Sequence, residues 1–176
     1  MIDRWFRHAP RLLIWAGLLC LASLAAALVA QHAFDVRPCP WCILQRGIIM
    51  LLAACCLLGG AVAWWLKHHA HLHRAHLAAR LTAIPVVLLA MGGLVAATYQ
   101  HEVAAQSASC KMTVADQILT ALELESRWPA VFMITADCQE AAAYRLLGLP
   151  YEIWSGLLFL LVLGVGLVAL QRGARP

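Results

Sequence analysis

The chain has 176 residues, 63% of them hydrophobic and only 12% charged, with a formal net charge of +4. A soluble domain carries about 45–50% apolar and about 25% charged residues, so this composition excludes an ordinary water-soluble globule and points to lipid as the solvent. The length suits one domain, residues 1–176, and the chain has neither internal repeats nor a low-complexity linker.

The apolar residues fall in four blocks, at residues 12–30, 47–66, 81–98 and 151–170. Each has roughly the 18–20 residues that a helix needs to cross a ~30 Å hydrocarbon core. Backbone groups in lipid must pair within their own segment, which favours helices over strands. The expected fold is therefore an all-α membrane protein: a four-transmembrane-helix bundle, with outer loops at residues 31–46 and 99–150. Arg4, Arg7 and Arg11 precede the first block much as they would precede a signal peptide. Its apolar run exceeds the usual signal core of about 7–15 residues, so it is expected to be retained as a span.

The first outer loop contains Cys39-Pro40-Trp41-Cys42, followed four residues later by Arg46. After the second block comes Lys67-His-His-Ala-His-Leu-His-Arg-Ala-His76. Imidazoles can bind a metal, but no cysteine or carboxylate joins these, and a basic loop facing anionic lipid is the simpler reading. The third block carries Pro85 and the pair Gly92–Gly93, which membrane helices tolerate. In the long second loop, Val114, Ile118, Leu119, Leu122 and Trp128 recur at near-helical spacing, with Asp116, Gln117, Glu123 and Glu125 between them. This pattern predicts a short amphipathic helix on the membrane surface.

Positive charge sets the orientation. Arg4, Arg7, Arg11, Lys67, Arg74, Arg80, Arg172 and Arg175 fall on the side of both termini. Arg37, Arg46, Lys111, Arg127 and Arg145 are spread over the longer opposite side. Both termini are therefore expected in the cytoplasm, and Cys39, Cys42, Cys110 and Cys138 on the other face. In a bacterial inner membrane that face is the periplasm, where disulfides persist. Cys20, Cys55 and Cys56 lie within spans and read as small packing residues.

A C-x-x-C alone is ambiguous between a metal site and a redox pair. Cys110 and Cys138 bring the ligand count to the four that zinc needs. Ile43 after Cys42 excludes the C-x-x-C-H haem attachment pattern. Pro40 suits the first position of a helix, which puts Cys39 near the cap and Cys42 in the first turn. The free N–H groups and dipole there would stabilise a thiolate at Cys42. Arg46 lies on the same helix face. At a membrane edge it either snorkels to the headgroups or meets a polar or anionic ligand. Cys110 and Cys138 could be a structural staple. Two pairs on one face, one of them at the bilayer edge, are better explained as a relay.

The run Cys39-Pro-Trp-Cys42-Ile-Leu-Gln-Arg46 resembles the disulfide bond formation protein B (DsbB) family, as do Cys110, Asp137-Cys138, Leu147-Gly148-Leu149 and Trp154. The resemblance covers almost the whole chain. It implies a quinone-dependent protein-disulfide oxidoreductase of the bacterial inner membrane that reoxidises a periplasmic thioredoxin-like dithiol oxidase (DsbA-type). By that resemblance the partner's thiolate attacks Cys110. The released Cys138 attacks Cys39, and Cys42 is left as the thiolate facing ubiquinone or menaquinone, with Arg46 at the quinone head group and His101 nearby. The competing class is a membrane metal-binding protein using the outer cysteines as ligands.

Overall fold

The computed structural model describes residues 9–69, 71–106 and 113–172, except for the side chains of Leu72 and Arg172. In chain order the elements are α1 (Ala9–Ala33), α2 (Pro40–His68), α3 (Leu72–Glu102), a 3₁₀ turn (Ala104–Gln106), α4 (Val114–Ala121), α5 (Leu124–Arg127), α6 (Pro129–Phe132), α7 (Cys138–Ala142), strands β1 (Arg145–Leu146) and β2 (Leu149–Pro150), and α8 (Tyr151–Arg172). Helices α1, α2, α3 and α8 are the four that are long and apolar enough to cross a membrane, so the all-α, four-helix membrane architecture holds.

The packing is antiparallel and depends on small residues. Gly17 of α1 meets Leu57 of α2, and Gly60 meets Ile14. Gly59 of α2 meets Thr82 of α3, and Gly93 of α3 meets the ring of Phe159 on α8. Without a hydrophobic drive between helices in lipid, such close approach is the main source of their association. A Cβ at Gly93 would sit 2.4 Å from a Phe159 ring carbon, whereas one at Gly92 would have nothing within 4 Å. Gly93→Leu is therefore expected to cost about 1–3 kcal/mol or more through overpacking. Thermal unfolding in detergent should show a lowered midpoint for Gly93→Leu and little change for Gly92→Leu. The core between the helices contains Leu13, Leu52, Val86, Phe159 and Val162, together with buried Cys20 and Cys56. Cys55 packs partly buried against it, so all three mid-membrane cysteines act as packing groups.

The helices are longer than the apolar blocks. Helix α2 starts at Pro40, well before residue 47, because proline at its first position needs no N–H partner and Cys39 caps it in an extended conformation. The expected histidine loop is mostly helix: α2 runs to His68 and α3 begins at Leu72. Helical hydrogen bonding can continue past the hydrocarbon into polar sequence, so hydropathy marks the lipid-buried part of a helix rather than its ends. His68 and His69 pack at a tilt against Trp64 and Trp65, with ring centroids 4.5 Å apart in each pair. Pro85 lies inside α3 without ending it.

Between α3 and α8 the loop folds over the cysteine end of the bundle. Thr113 caps α4 by accepting a hydrogen bond from the Asp116 N–H. Ala115 and Leu119 are buried, Leu119 in a cluster with Ile43 and Phe132. Val114, Ile118 and Leu122 form an exposed apolar stripe on another side of the helix. Glu123, in the left-handed region (φ 52°), ends this run. A two-stranded antiparallel hairpin, β1–β2, precedes α8 and has no counterpart in the expected all-helical loop. Its turn is Leu147-Gly148, both at positive φ (52° and 83°), the combination that two-residue hairpin turns favour. The Trp154 indole N–H donates to the Leu146 carbonyl at 3.0 Å, tying the hairpin to α8.

Candidate active site

The antiparallel bundle brings the C-terminal end of α1, the start of α2, the end of α3 and the start of α8 to one end. Cys39 is fully buried at the N-cap of α2, and its sulfur lies 3.1 Å from that of half-buried Cys42. The hydrogen bond with Cys42 and burial push the Cys39 thiol well above the ordinary thiol range. The Gln100 amide of α3 donates to the Cys42 sulfur at 3.2 Å. Gln45 in turn donates to the Gln100 side-chain carbonyl at 2.7 Å, and Ser155 of α8 donates to Gln45. A buried network thus orients the donor that faces Cys42, with each amide holding the next.

Cys138 begins α7 and is also fully buried. It shares one apolar cluster with Cys39, Trp41, Ala96, Ala104 and Ala115. Two backbone hydrogen bonds hold it there, from the N–H groups of Thr135 and Ala136 to the carbonyl of Pro38, at 3.1 and 3.2 Å. An Arg37–Glu140 ion pair at 3.3 Å adds to them. Cys138 is disulfide-bonded.

Beside Cys42 lies a cavity of about 540 Å³ between α1 and α8, with α2 contributing Cys42, Gln45, Arg46 and Ile49. Its wall is largely aliphatic, from α1 residues such as Leu24, Ala27 and Ala30, with Trp154 on the α8 side. Arg46 is buried, at 7% exposure. Its guanidinium donates to the Gln31 side chain and, at 3.2 Å, to the Val131 carbonyl. The side chain turns into the protein instead of reaching outward, and it lines the same cavity as Cys42. A few polar groups converging on an apolar enclosure of this size are the usual form of a small-molecule site.

The sequence model of the family described as "Disulfide bond formation protein DsbB" matches residues 9–169. The chain belongs to the DsbB family. Relatives named disulfide bond formation protein B include one from Polaromonas sp. (strain JS666 / ATCC BAA-500), 32% identical over 99% of this chain and 99% of its own. One from Verminephrobacter eiseniae (strain EF01-2) is 30% identical over 99% of this chain and 94% of its own. No solved structure matches the chain.

In this DsbB-family chain, Cys39, Cys42 and Arg46 come together as their spacing indicated, and Cys138 joins them from about a hundred residues away. Cys110 lies outside the described residues, as do Arg4, Arg7, Lys111 and Arg175. His101 is not among the cavity-lining residues. Its Nδ1 is 3.2 Å from Glu152 Oε1, and it is Glu152 that lines the cavity. Sequence reasoning missed Gln31, Gln45, Gln100, Glu152 and Ser155. The available signal was their polarity inside or at the ends of apolar helices, where an uncharged amide or a carboxyl needs a partner. Among the described residues no three His, Cys, Asp or Glu side chains are grouped to hold a metal ion.

Proposed function

We propose that this protein is a quinone-dependent disulfide oxidoreductase that reoxidises a periplasmic thioredoxin-like dithiol oxidase of the DsbA type. The observation that carries the reading is the placing of Cys42 and buried Arg46 on one largely apolar cavity, with Cys39 and Cys138 sharing the cluster behind it. The cavity's size and lining suit a flat, mostly apolar ring with polar oxygens, and its position between α1 and α8 suits a ligand arriving from lipid. Arg46 and Gln100, both on the cavity wall beside Cys42, can donate to such oxygens. Bound there, ubiquinone or menaquinone would supply the terminal two-electron acceptor.

The remaining steps belong to the chain's own thiols. The partner's thiolate attacks Cys110, breaking the Cys110–Cys138 bond and forming a mixed disulfide. The partner's second thiol then resolves that bond and leaves oxidised. The freed Cys138 attacks Cys39, and Cys42 departs as a thiolate; Cys110 then attacks Cys138, restoring their bond and releasing Cys39 as a thiol. Exchange of this kind runs best when the leaving thiol is acidic. Cys42 has the start of α2 and the Gln100 amide to receive its charge, whereas Cys39 is fully buried in an apolar cluster. The basic residues Arg11, Lys67, Arg74 and Arg80 lie at the opposite end of the bundle from these thiols. That placement supports cytoplasmic termini and periplasmic thiols in the bacterial inner membrane.

Purified protein supplied with quinone is expected to oxidise a reduced thioredoxin-like partner catalytically. Cys110→Ser should abolish partner oxidation while the Cys39–Cys42 disulfide still forms, as thiol alkylation followed by mass analysis would show. Unchanged turnover in this variant would overturn the relay.

A further inference from the structure

We propose that Glu152 is the proton donor to the acceptor held in the cavity and that His101 returns its proton from solvent. The inference rests on the quinone site proposed above. Glu152 is 3% exposed and is the one carboxyl lining the cavity among the described residues. A buried carboxylate in apolar surroundings is costly unless it is paired or protonated. Its hydrogen-bond partner, His101, reaches the surface, with a side chain 43% exposed. Glu152 therefore lines the cavity while its carboxyl touches a group in contact with water. Histidine gains and loses protons readily near neutral pH.

The other titratable or charged groups on the cavity are Cys42, Arg46, Arg37 and Tyr151. An arginine does not give up its proton at working pH. Arg46 is held by Gln31 and Val131, and Arg37 by Glu140. A phenol is a weaker acid than a carboxyl. Cys42 supplies electrons rather than a proton.

The balance requires such a donor. When the Cys39 thiol and the Cys42 thiolate join as a disulfide, they release two electrons and one proton. Reduction of a quinone to a quinol takes up two electrons and two protons. The missing proton comes from the Glu152 carboxyl, and the resulting carboxylate is refilled through His101 from water. The dithiol is oxidised, the quinone is reduced, and one proton per turnover enters from solvent.

Two measurements on the full-length protein test this. In infrared spectra, a carboxylic-acid carbonyl band that shifts in D₂O should be present in the wild type and missing from Glu152→Gln, and its exchange should slow in His101→Ala. In steady-state assays, Glu152→Gln should lower kcat for quinone reduction by about 100-fold or more, the scale of general-acid catalysis, with KM for quinone nearly unchanged. Formate should restore part of the rate to Glu152→Ala. A purely structural Glu152–His101 pair would give neither the acid band nor the rescue. Wild-type turnover with an unchanged Glu152→Gln would overturn the proton donor alone, whereas a wild type that reduces no quinone would overturn the cavity's assignment as well.

Discussion

Cys42→Ser is expected to end quinone reduction, with a loss on the order of 10³-fold or more, as removal of an attacking nucleophile produces. The substitution is mild for the fold. A serine oxygen can still accept the Gln100 hydrogen bond that the Cys42 sulfur now receives at 3.2 Å, and the site is only half-buried. What disappears is the sulfur that lines the cavity while lying 3.1 Å from Cys39. The Cys39–Cys42 disulfide can then neither form nor be regenerated. Without quinone, the variant should oxidise at most one equivalent of partner dithiol per chain through Cys110 and Cys138, and adding quinone should give no more. Quinone absorbance and partner thiol titration under anaerobic conditions measure both quantities. Continued quinone-driven turnover would move the electron exit away from Cys42.

Arg46→Ala is expected to raise KM for quinone by roughly tenfold to a hundredfold, the equivalent of losing one charged hydrogen bond of about 1.5–3 kcal/mol. KM for the thioredoxin-like partner should change little, because Arg46 lies on the cavity and not in the Cys39–Cys138 cluster. Stability should fall too, since the Gln31 side chain and the Val131 carbonyl both lose a donor. Arg46→Lys separates the two roles. It keeps the charge but loses the planar fork that can serve ligand and protein together, so it should recover stability more fully than quinone affinity. A loss of stability in Arg46→Ala with unchanged quinone kinetics would leave Arg46 as a clamp on the outer loop and nothing more.

Local chemistry made part of this legible from the chain alone. A hydrocarbon phase demands long uncharged runs, so the four helices could be counted from hydropathy, though their ends could not. Proline's missing N–H marked Pro40 as the first residue of α2, and that single placement put Cys39 at the cap with Cys42 and Arg46 on the following turns. The i, i+4 apolar spacing of Val114, Ile118 and Leu122 likewise revealed α4, because helical geometry is encoded within a few residues.

The unpredicted features all depend on which helices meet. Gln45 and Gln100 are unremarkable polar residues until antiparallel packing of α2 and α3 joins them at 2.7 Å and aims one at Cys42. His101 and Gln100 are neighbours in sequence, yet a helix turns about 100° per residue. One therefore faces the thiols and the other reaches Glu152 on α8. The two cysteine pairs follow the same division. The spacing of Cys39 and Cys42 determined a redox-capable pair by itself, since both lie on one helical turn. Only the tertiary structure put Cys138 in the cluster with Cys39, because the hydrogen bonds to Pro38 that hold it there span nearly a hundred residues of chain.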